Sequence, residues 1–512
     1  MGCAQSVPRS PAATRVEHMG RLIIRMGKWF AGFVLIVFAA LLAWAFQSRT
    51  MAELSVWHTA PLTNEFKAAD ATATTTLKDY LAREDALFAE VDDTVYGHVA
   101  RSDTTLFSRY LAGSTQDPRQ FQPNWNRTAE LVPDAIRGGV LLLHGLTDSP
   151  YSLRRVAELF RAKGFYVLAL RLPGHGTIPG ALTNVSVADW VAASRIGARH
   201  VRARIGATLP FVVAGYSNGG GLSVKYALDA LADPTLPTPD ALVLFSPEIG
   251  IAPIAAISNS DKLLSFVPYF SQFRWLSIEP EYDPYKYNSF PKNAAQEAWR
   301  VTDAIDNGIK EARAAGRFAR FPPTLTFLSW VDATVDTPAT ITRLYDRMDN
   351  DRSELVIFDV NRTESFAALM PTSEEAPLQS LEARQDLPYR LTVISNISND
   401  SPAVASLSKA PRSADIVTTP LGLSWPTNVY SLAHVAVPFP PDDPIYGTRE
   451  AATNGYAGFR LGALHPRGET RLLTVSVSQL MRLRHNPFFG YVEQRIDALI
   501  DALAQSPATA VR

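Results

Sequence analysis

The stretch that most constrains the fold is residues 211–221, which read FVVAGYSNGGG. Its first four residues are apolar and have the length of a buried strand that must stop at Gly215. Apolar residues then recur at helical spacing, at Leu222, Tyr226 and Ala230. Ser217 therefore lies on a sharp strand-to-helix turn, and Gly215 and Gly219 leave the space that such a turn needs. The alternative is an ordinary glycine-rich turn with no special role for the serine.

The segments around this turn alternate between strand and helix patterns. Apolar runs typical of buried strands occupy Val140–Leu143, Phe165–Leu170 and Ala241–Phe245. Helical patterns fill the intervals between them, with a capping box at Ser186 and Asp189. This alternation predicts an α/β fold with a mostly parallel sheet covered by helices on both faces. Ligands of such sheets bind beyond the carboxyl ends of the strands, where His144 and Ser217 fall.

Composition excludes several classes of function. The 512 residues allow one large catalytic domain with accessory segments. The 49 basic residues balance the 50 acidic ones, so nothing indicates nucleic acid as a partner. The single cysteine, Cys3, excludes a disulfide within the chain and a cysteine-based metal site. The sequence calls for no cofactor and no metal.

The N-terminal 50 residues predict a cytoplasmic tail and a membrane anchor. Trp29–Phe46 is an uncharged stretch of 18 residues, which as a helix just reaches across the roughly 30 Å apolar core of a bilayer. Basic residues are concentrated before this stretch, which predicts that the rest of the chain lies on the non-cytoplasmic side, the periplasm in a bacterium. The alternative is a signal peptide cleaved near Ala43-Trp44-Ala45, which would release a secreted protein.

The remaining chain divides at about residue 135. Residues 51–135 are mixed and polar, with one helical patch near Leu77, and are interpreted as a stalk or lid region. Residues 136–506 form the predicted catalytic domain, with insertions at about 251–320 and 363–425. The first insertion is rich in aromatic residues, so we expect a cap-like segment that lines an apolar pocket over the site. A packing subdomain without substrate contact is the alternative.

Three motifs carry a family resemblance. They are HGLTDSP at 144–150, LPGHG at 172–176 and GYSNG at 215–219. In order and spacing they resemble the serine α/β-hydrolases, close to bacterial carboxylesterases and monoacylglycerol lipases. The resemblance covers residues 136–250 well and resumes in fragments at Asp332 and His434.

The resemblance implies roles for the residues of these motifs. Ser217 would be the nucleophile on its elbow, supported by Gly215 and Gly219. The backbone N–H groups of Leu146 and Asn218 would form the oxyanion hole. His144 and Gly145 would support the oxyanion loop, whereas His175 would shape the pocket rim.

A serine hydroxyl needs a general base and a group that orients this base. In the family the order along the chain is serine, acid, histidine. The loop SWVDATV follows an apolar strand and offers Asp332 as the acid, with Asp336 as a competitor. His434, in an irregular stretch, resembles the family's histidine, and His485 and His465 are the alternatives.

The spacing between the predicted acid and base is longer than the family pattern. About a hundred residues separate Asp332 from His434, with two strand-like runs at Glu354–Val360 and Tyr389–Ile394. The family needs only one strand there. The additional run is interpreted as a sheet extension or an insertion.

These patterns together predict a membrane-anchored serine hydrolase that cleaves small-molecule or lipid carboxylic esters through an acyl-enzyme. The alternatives on the same fold are a thioesterase, an amidase or an acyltransferase. A membrane-anchored binding protein with a catalytically dead hydrolase domain is the alternative from another class.

Overall fold

The computed structural model describes residues 24–39, 42, 46, 50–99, 107–250, 268–367, 369–370, 375–448, 460–463 and 477–505. Its contacts divide the chain into two compact units. The first comprises Met1–Glu53 with Asp261–Phe273, and the second comprises Leu54–Ser260 with Arg274–Arg512. The second unit contains the sheet and all the candidate site residues.

The predicted transmembrane helix over Trp29–Phe46 is not supported by the structure. Residues 24–39 are helical, but this run includes Arg25 and Lys28, and part of the predicted span, residues 40–41 and 43–45, lies outside the described residues. In the described ranges, no helix combines the length and the apolar character that crossing a bilayer requires.

Twelve strands are described, and ten of them form one sheet. Their bounds are β1 Ala129–Leu131, β2 Gly138–Leu143, β3 Phe165–Leu170, β4 Phe211–Tyr216, β5 Ala241–Phe245, β6 Trp275–Ser277, β7 Phe290–Pro291, β8 Thr324–Ser329, β9 Glu354–Phe358, β10 Arg390–Ser398, β11 Ser401–Lys409 and β12 Ile416–Ser424. The large sheet has the order β1-β3-β2-β4-β5-β8-β9-β10-β11-β12, and β6 and β7 pair separately. Its seven central strands, from β3 to β10, are parallel, which confirms the predicted mostly parallel sheet.

Seven longer helices accompany the sheet. They are α1 Leu77–Thr94, α2 Arg154–Ala162, α3 Val187–Ile205, α4 Asn218–Ala232, α5 Lys292–Ala314, α6 Glu375–Ala383 and α7 Phe489–Gln505. Short helical turns lie at Val56–Thr59, Thr337–Ala339, Glu364–Ala367 and Val477–Leu480. Helices α3, α4 and α5 pack on one face of the sheet, and α2 and α7 pack on the other.

The central strands show why both faces must be covered. Every residue of β2, β3, β4, β5, β8 and β9 is buried. Successive residues point to opposite faces, so Leu141 and Val213 join the cluster under α3, whereas Leu142 and Val212 join the cluster under α2. Continuous apolar runs are typical of parallel strands buried on both sides.

The sheet is extended beyond the strands that the family pattern requires. The strand β10 pairs parallel to β9, and β11 and β12 follow as antiparallel neighbours. These two strands lie in the C-terminal part of the second predicted insertion, at about 363–425. The sequence predicted the run at Tyr389–Ile394 but not β11 and β12, whose polar, threonine- and serine-rich composition differs from that of the buried strands.

The segment predicted as a stalk or lid, residues 51–135, contributes to the second unit from Leu54 onward. Two carboxylates of this segment, those of Glu65 and Glu84, bind the buried guanidinium group of Arg171, which directly follows β3. The Arg171 guanidinium donates to Glu65 at 3.0 and 3.1 Å and to Glu84 at 3.1 Å, and its side chain is 1% exposed. The N–H of Gly174, in the LPGHG turn, donates to Glu65 at 2.8 Å. This ionic cluster ties the N-terminal segment to a loop beside the site.

Removing Glu65 tests how strongly this cluster holds the segment. We expect Glu65→Ala to lower the free energy of unfolding by about 3 kcal/mol, because it leaves a buried guanidinium partly uncompensated. Urea denaturation measures this change. The control is Asp85→Ala, which breaks an ion pair of Arg127 with a carboxylate whose side chain is 77% exposed, and which we expect to cost less than about 1 kcal/mol. Equal costs for the two variants would contradict a structural role for the buried cluster.

Candidate active site

The candidate nucleophile lies on a strained turn between β4 and α4. Ser217 has φ 54° and ψ −119°, a conformation that non-glycine residues rarely adopt. Its N–H donates to the carbonyl oxygen of Phe245 at 2.9 Å. Its own carbonyl oxygen accepts from the N–H groups of Gly221 and Glu248, both at 3.0 Å. The neighbouring strand β5 and its following loop therefore hold the strained backbone in place.

The glycines around the turn are required by close backbone contacts. A Cβ on Gly215 would overlap the carbonyl group of Gly219, and a Cβ on Gly219 would overlap the carbonyl oxygen of Leu143. On the facing loop, a Cβ on Gly145 would lie 2.7 Å from a carboxylate oxygen of Asp148. A side chain at Gly215 or Gly219 would therefore push α4 away from β4 or β2.

A matched pair of glycine substitutions tests this packing. Gly219→Ala should lower the free energy of unfolding by about 3 kcal/mol, because the added methyl group meets fixed backbone on β2. Gly490→Ala is the control, since a Cβ on Gly490 has no neighbour within 4 Å, and helix α7 should tolerate the alanine within about 0.5 kcal/mol. Denaturant unfolding of both variants measures the difference, and a Gly219→Ala protein as stable as the control would refute the close packing.

The predicted acid and base lie in contact, although they are 102 residues apart in the sequence. The Nδ1 atom of His434 lies 2.7 Å from Oδ2 of Asp332. The other carboxylate oxygen accepts from the N–H groups of Thr334 and Val335, at 2.8 and 3.0 Å. The Asp332 side chain is fully buried and that of His434 is 6% exposed. The carboxylate is thus fixed by its own loop and presents one oxygen to the imidazole.

Opposing effects act on the Asp332 carboxyl. Burial favours the neutral acid and raises its pKa, but His434 and the backbone donors favour the anion, and together they lower the pKa below its usual value. An ionised carboxylate at Nδ1 fixes the tautomer in which this nitrogen carries the proton. The Nε2 atom of His434 is then left to accept a proton.

The competing residues occupy other environments. Asp336 is exposed and caps the short helix Thr337–Ala339 by accepting from the N–H of Ala339 at 3.0 Å. His485 is buried, with Nδ1 at 3.2 Å from the carbonyl oxygen of Tyr446. His465 lies outside the described residues. His434 is thus the candidate histidine that contacts the predicted acid Asp332.

His144 is locked within the loop that follows β2. Its Nε2 accepts from the N–H of Leu172 at 2.9 Å, so Nδ1 carries the proton and donates to the carbonyl oxygen of Gly145 at 2.9 Å. Burial, and then the neighbouring His175, hold the pKa of His144 well below its usual value. A neutral imidazole thus joins this loop to the LPGHG turn.

Two backbone donors remain free at the turn. Among the described residues, the N–H groups of Leu146 and Asn218 have no hydrogen-bond partner, and the Oγ of Ser217 has none either. Catalytic hydrogen bonds in ligand-free proteins often tighten only when substrate binds. Leu146, in the loop after β2, lines the same cavity as Ser217, and Asn218 is the first residue of α4.

A cavity of about 450 Å³ lies beside Ser217 and His434, a size typical of small-molecule sites. Its apolar lining comes largely from the ends of β2 and β4 and from the first predicted insertion, and includes Leu146, Tyr216, Leu276, Tyr282, Tyr287, Phe290, Ala295 and Ala298. Its charged lining residues are Asp148, Glu248, Glu279, Lys286, Arg482 and Arg484. Of the predicted insertion at about 251–320, residues 251–267 are outside the described residues, but its later part forms one wall of this cavity.

Glu248 is a cavity residue that the sequence analysis missed. It comes three residues after β5 ends, is 6% exposed, and its carboxyl group has no hydrogen-bond or ionic partner among the described residues. Burial raises its pKa to about 8, so it is mostly neutral at pH 7. The available signal was an acidic residue three positions after a fully apolar strand, at the edge of the sheet where ligands bind.

The pKa of Glu248 predicts how its replacement changes stability with pH. Between about pH 5 and pH 8 the unfolded state loses the Glu248 proton while the folded state keeps it, so the free energy of unfolding falls as pH rises. Glu248→Gln removes this titration. We therefore expect the variant to gain stability relative to the parent across this window, measured by thermal unfolding at several pH values. A constant difference between the two proteins would show that Glu248 titrates normally.

Metal ligands are not grouped in the described ranges. No cluster of three or more His, Cys, Asp or Glu side chains there has an arrangement that would hold a metal ion. The side chains around Ser217 instead provide a hydroxyl group, an imidazole and carboxyl groups.

The chain was compared with known protein families and with curated proteins. Residues 134–360 match the sequence model of the family described as serine aminopeptidase, S33. The thermostable monoacylglycerol lipase of Bacillus sp. (strain H-257) is 37% identical over 89 residues, which are 17% of this chain and 34% of that protein. The chain thus spans about a third of the length of this curated relative.

Solved structures also match. A structure from a study of two metagenome-derived lipolytic enzymes, LipS and LipT, has 22% identity and a TM-score of 0.37, over 52% of this chain and all of the other. The monoacylglycerol lipase of Paleococcus ferrophilus has 20% identity and a TM-score of 0.34, over 45% of this chain and 88% of the other. The family match confirms, over residues 134–360, the resemblance to the serine α/β-hydrolases and the fold that the motifs predicted.

Proposed function

We propose that this chain is a serine hydrolase that cleaves carboxylic esters, with Ser217 as the nucleophile, His434 as the general base and Asp332 as the residue that orients it. The observation that carries the proposal is the 2.7 Å contact between His434 and Asp332 beside the cavity that Ser217 also lines. A serine on a strained elbow, an imidazole and a buried carboxylate are the parts that acyl transfer needs. The resemblance to lipases and esterases supports an ester as the substrate.

The proposed reaction has two steps. In the first, Ser217 Oγ attacks the ester carbonyl carbon while Nε2 of His434 takes the hydroxyl proton, and the same nitrogen returns this proton to the departing alcohol. In the second, a water molecule gives a proton to His434 and attacks the acyl-enzyme, and Ser217 leaves with the proton restored. Asp332 stays ionised and stabilises the imidazolium that forms in each step.

The oxyanion of each tetrahedral intermediate would be held by the N–H groups of Leu146 and Asn218. Both donors are free of other partners in the described part of the chain, and Asn218 is the first residue of α4, whose N-terminus carries partial positive charge. Donors of this kind contribute about 3 to 4 kcal/mol each to the transition state. The lock of His144 on the loop would keep the N–H of Leu146 in position.

Substitutions in the proposed triad give a direct test. We expect Ser217→Ala to abolish hydrolysis of p-nitrophenyl butyrate and labelling by a fluorophosphonate probe. Asp332→Asn should lower kcat about ten-thousandfold, because the amide favours the wrong tautomer of His434. The matched control is Asp336→Asn, which changes an exposed helix cap in the same loop and should alter kcat less than about threefold. Full activity of Ser217→Ala, or equal losses from the two aspartate variants, would refute the assignment.

The same assay, run with other substrates, identifies the leaving group that the enzyme releases and the acceptor to which it transfers the acyl group. Matched thioester and amide substrates, and transfer to glycerol instead of water, distinguish an esterase from a thioesterase, an amidase or an acyltransferase. Failure of the serine to react with the probe would favour the binding protein without catalysis.

The location on the non-cytoplasmic side of a membrane remains a prediction from the basic residues near the N-terminus.

A further inference from the structure

We propose that Lys286 is a positioning residue for the oxyanion hole, because its ammonium group holds in place the turn that carries the N–H of Leu146. This inference rests on the proposed function, since it concerns the same oxyanion. It gives the first predicted insertion, at about 251–320, a part in catalysis in addition to its part in the cavity wall.

The turn that carries Leu146 contains a strained residue. The N–H of Asp148 donates to the carbonyl oxygen of Gly145 at 3.2 Å, which closes a four-residue turn. Its third residue, Thr147, has φ 65°, and turns with a positive φ at this position normally have glycine or asparagine there. A β-branched side chain makes such a conformation unfavourable. Contacts from outside the turn must therefore stabilise it.

Two contacts from the first predicted insertion hold this turn. The N–H of Tyr287 donates to the carbonyl oxygen of Thr147 at 2.8 Å and thus binds the strained residue directly. The ammonium group of Lys286 donates to Oδ2 of Asp148 at 3.1 Å. The side chains of Lys286 and Asp148 are 25% and 7% exposed, so solvent screens this ion pair less than a pair on the surface. The contact from Lys286 is made by a side chain, and a substitution can remove it.

The loop of residues 281–289, which carries both donors, is itself closed by hydrogen bonds. The Glu281 carboxylate accepts from the N–H groups of Asn288 and Ser289, at 3.0 and 2.8 Å. The carbonyl oxygen of Glu281 accepts from the N–H of Arg109 at 2.8 Å, which ties the loop to the N-terminal segment. The loop is therefore a fixed support from which the two donors restrain the turn.

The alternative is that the Lys286 cation acts on the oxyanion directly, since this residue also lines the cavity. Its ammonium group is bound to the Asp148 carboxylate, however, and this opposite charge offsets its attraction for a second anion. The contacts thus favour a role through the position of the Leu146 N–H. The two roles differ in the effect that a change at Asp148 should have.

Kinetics of Lys286 variants on the full chain test the proposal. Lys286→Met keeps the aliphatic stem and should lower kcat for p-nitrophenyl butyrate about tenfold, because a displaced oxyanion donor stabilises the transition state less. KM should change less than about twofold, since the donor acts in the transition state. Affinity for butylboronic acid, which forms a tetrahedral adduct with a reactive serine, should fall by about the same factor as kcat. Lys286→Arg keeps a cation within reach of Asp148 and should retain kcat within about threefold.

A double-mutant cycle separates the two roles. If Lys286 acts through the turn, Asp148→Asn should also lower kcat about tenfold, and the double variant should lose no more than about threefold beyond either single variant. If the cation acts on the oxyanion directly, Asp148→Asn should leave kcat unchanged or raise it, and this result would overturn the inference. The control is Lys310→Met, which removes an ion pair of Asp306 at a lysine side chain that is 62% exposed on α5, and which should leave kcat unchanged.

Three further results would contradict the role of Lys286. They are a Lys286→Met protein with the kcat of the parent, a loss confined to KM, and no recovery of kcat in Lys286→Arg. Thermal unfolding reports whether each variant folds, and Lys286→Gln replaces the methionine variant if the latter does not. Where the parent hydrolyses p-nitrophenyl butyrate and Ser217→Ala does not, these results reject only the role of Lys286. No turnover and no fluorophosphonate labelling of the parent would instead reject the hydrolase itself.

Discussion

The hydrogen bonds that hold the backbone of Ser217 are the constraint on which the site depends. The residue adopts a conformation that costs on the order of 1 to 3 kcal/mol, and its N–H and carbonyl oxygen are both bound by groups at the end of β5. Those groups are in place only when β4 and β5 pair in register, as Tyr216 and Phe245 do. The strained serine therefore exists only in the folded sheet, which supplies the energy that holds it.

The same sheet explains how residues far apart in sequence meet. Asp332 follows β8, and His434 follows the long extension through β9 to β12. Since the carboxyl ends of parallel strands lie at one edge, added antiparallel strands at the far side of the sheet lengthen the chain without moving that edge. The distance of about a hundred residues between acid and base is thus compatible with a contact of 2.7 Å.

Local patterns were sufficient to predict the buried central strands and the turn at Ser217 between a strand and a helix. Gly215 and Gly219 are required because a side chain at either position would overlap neighbouring backbone. A short local motif was therefore enough to predict the turn. By contrast, the pairing of Arg171 with Glu65 joins residues 106 positions apart, and no local periodicity predicts a buried ion cluster. The predicted membrane span is not supported, because no helix in the described ranges has the length and apolar character that crossing a bilayer requires. The strands β11 and β12 escaped prediction because a polar strand at the far end of a sheet lacks the apolar run that identifies buried strands.

Glu248 shows the limit of motif-based interpretation most directly. The residues that a family pattern emphasises are those that the reaction needs, whereas the walls of the cavity vary and decide which molecule reacts. Burial raises the pKa of the Glu248 carboxyl to about 8, so this wall carries a polar group that an apolar residue in the same place would not supply. The fold therefore constrains the backbone around Ser217 closely, whereas the side chains that line the cavity are less constrained by it.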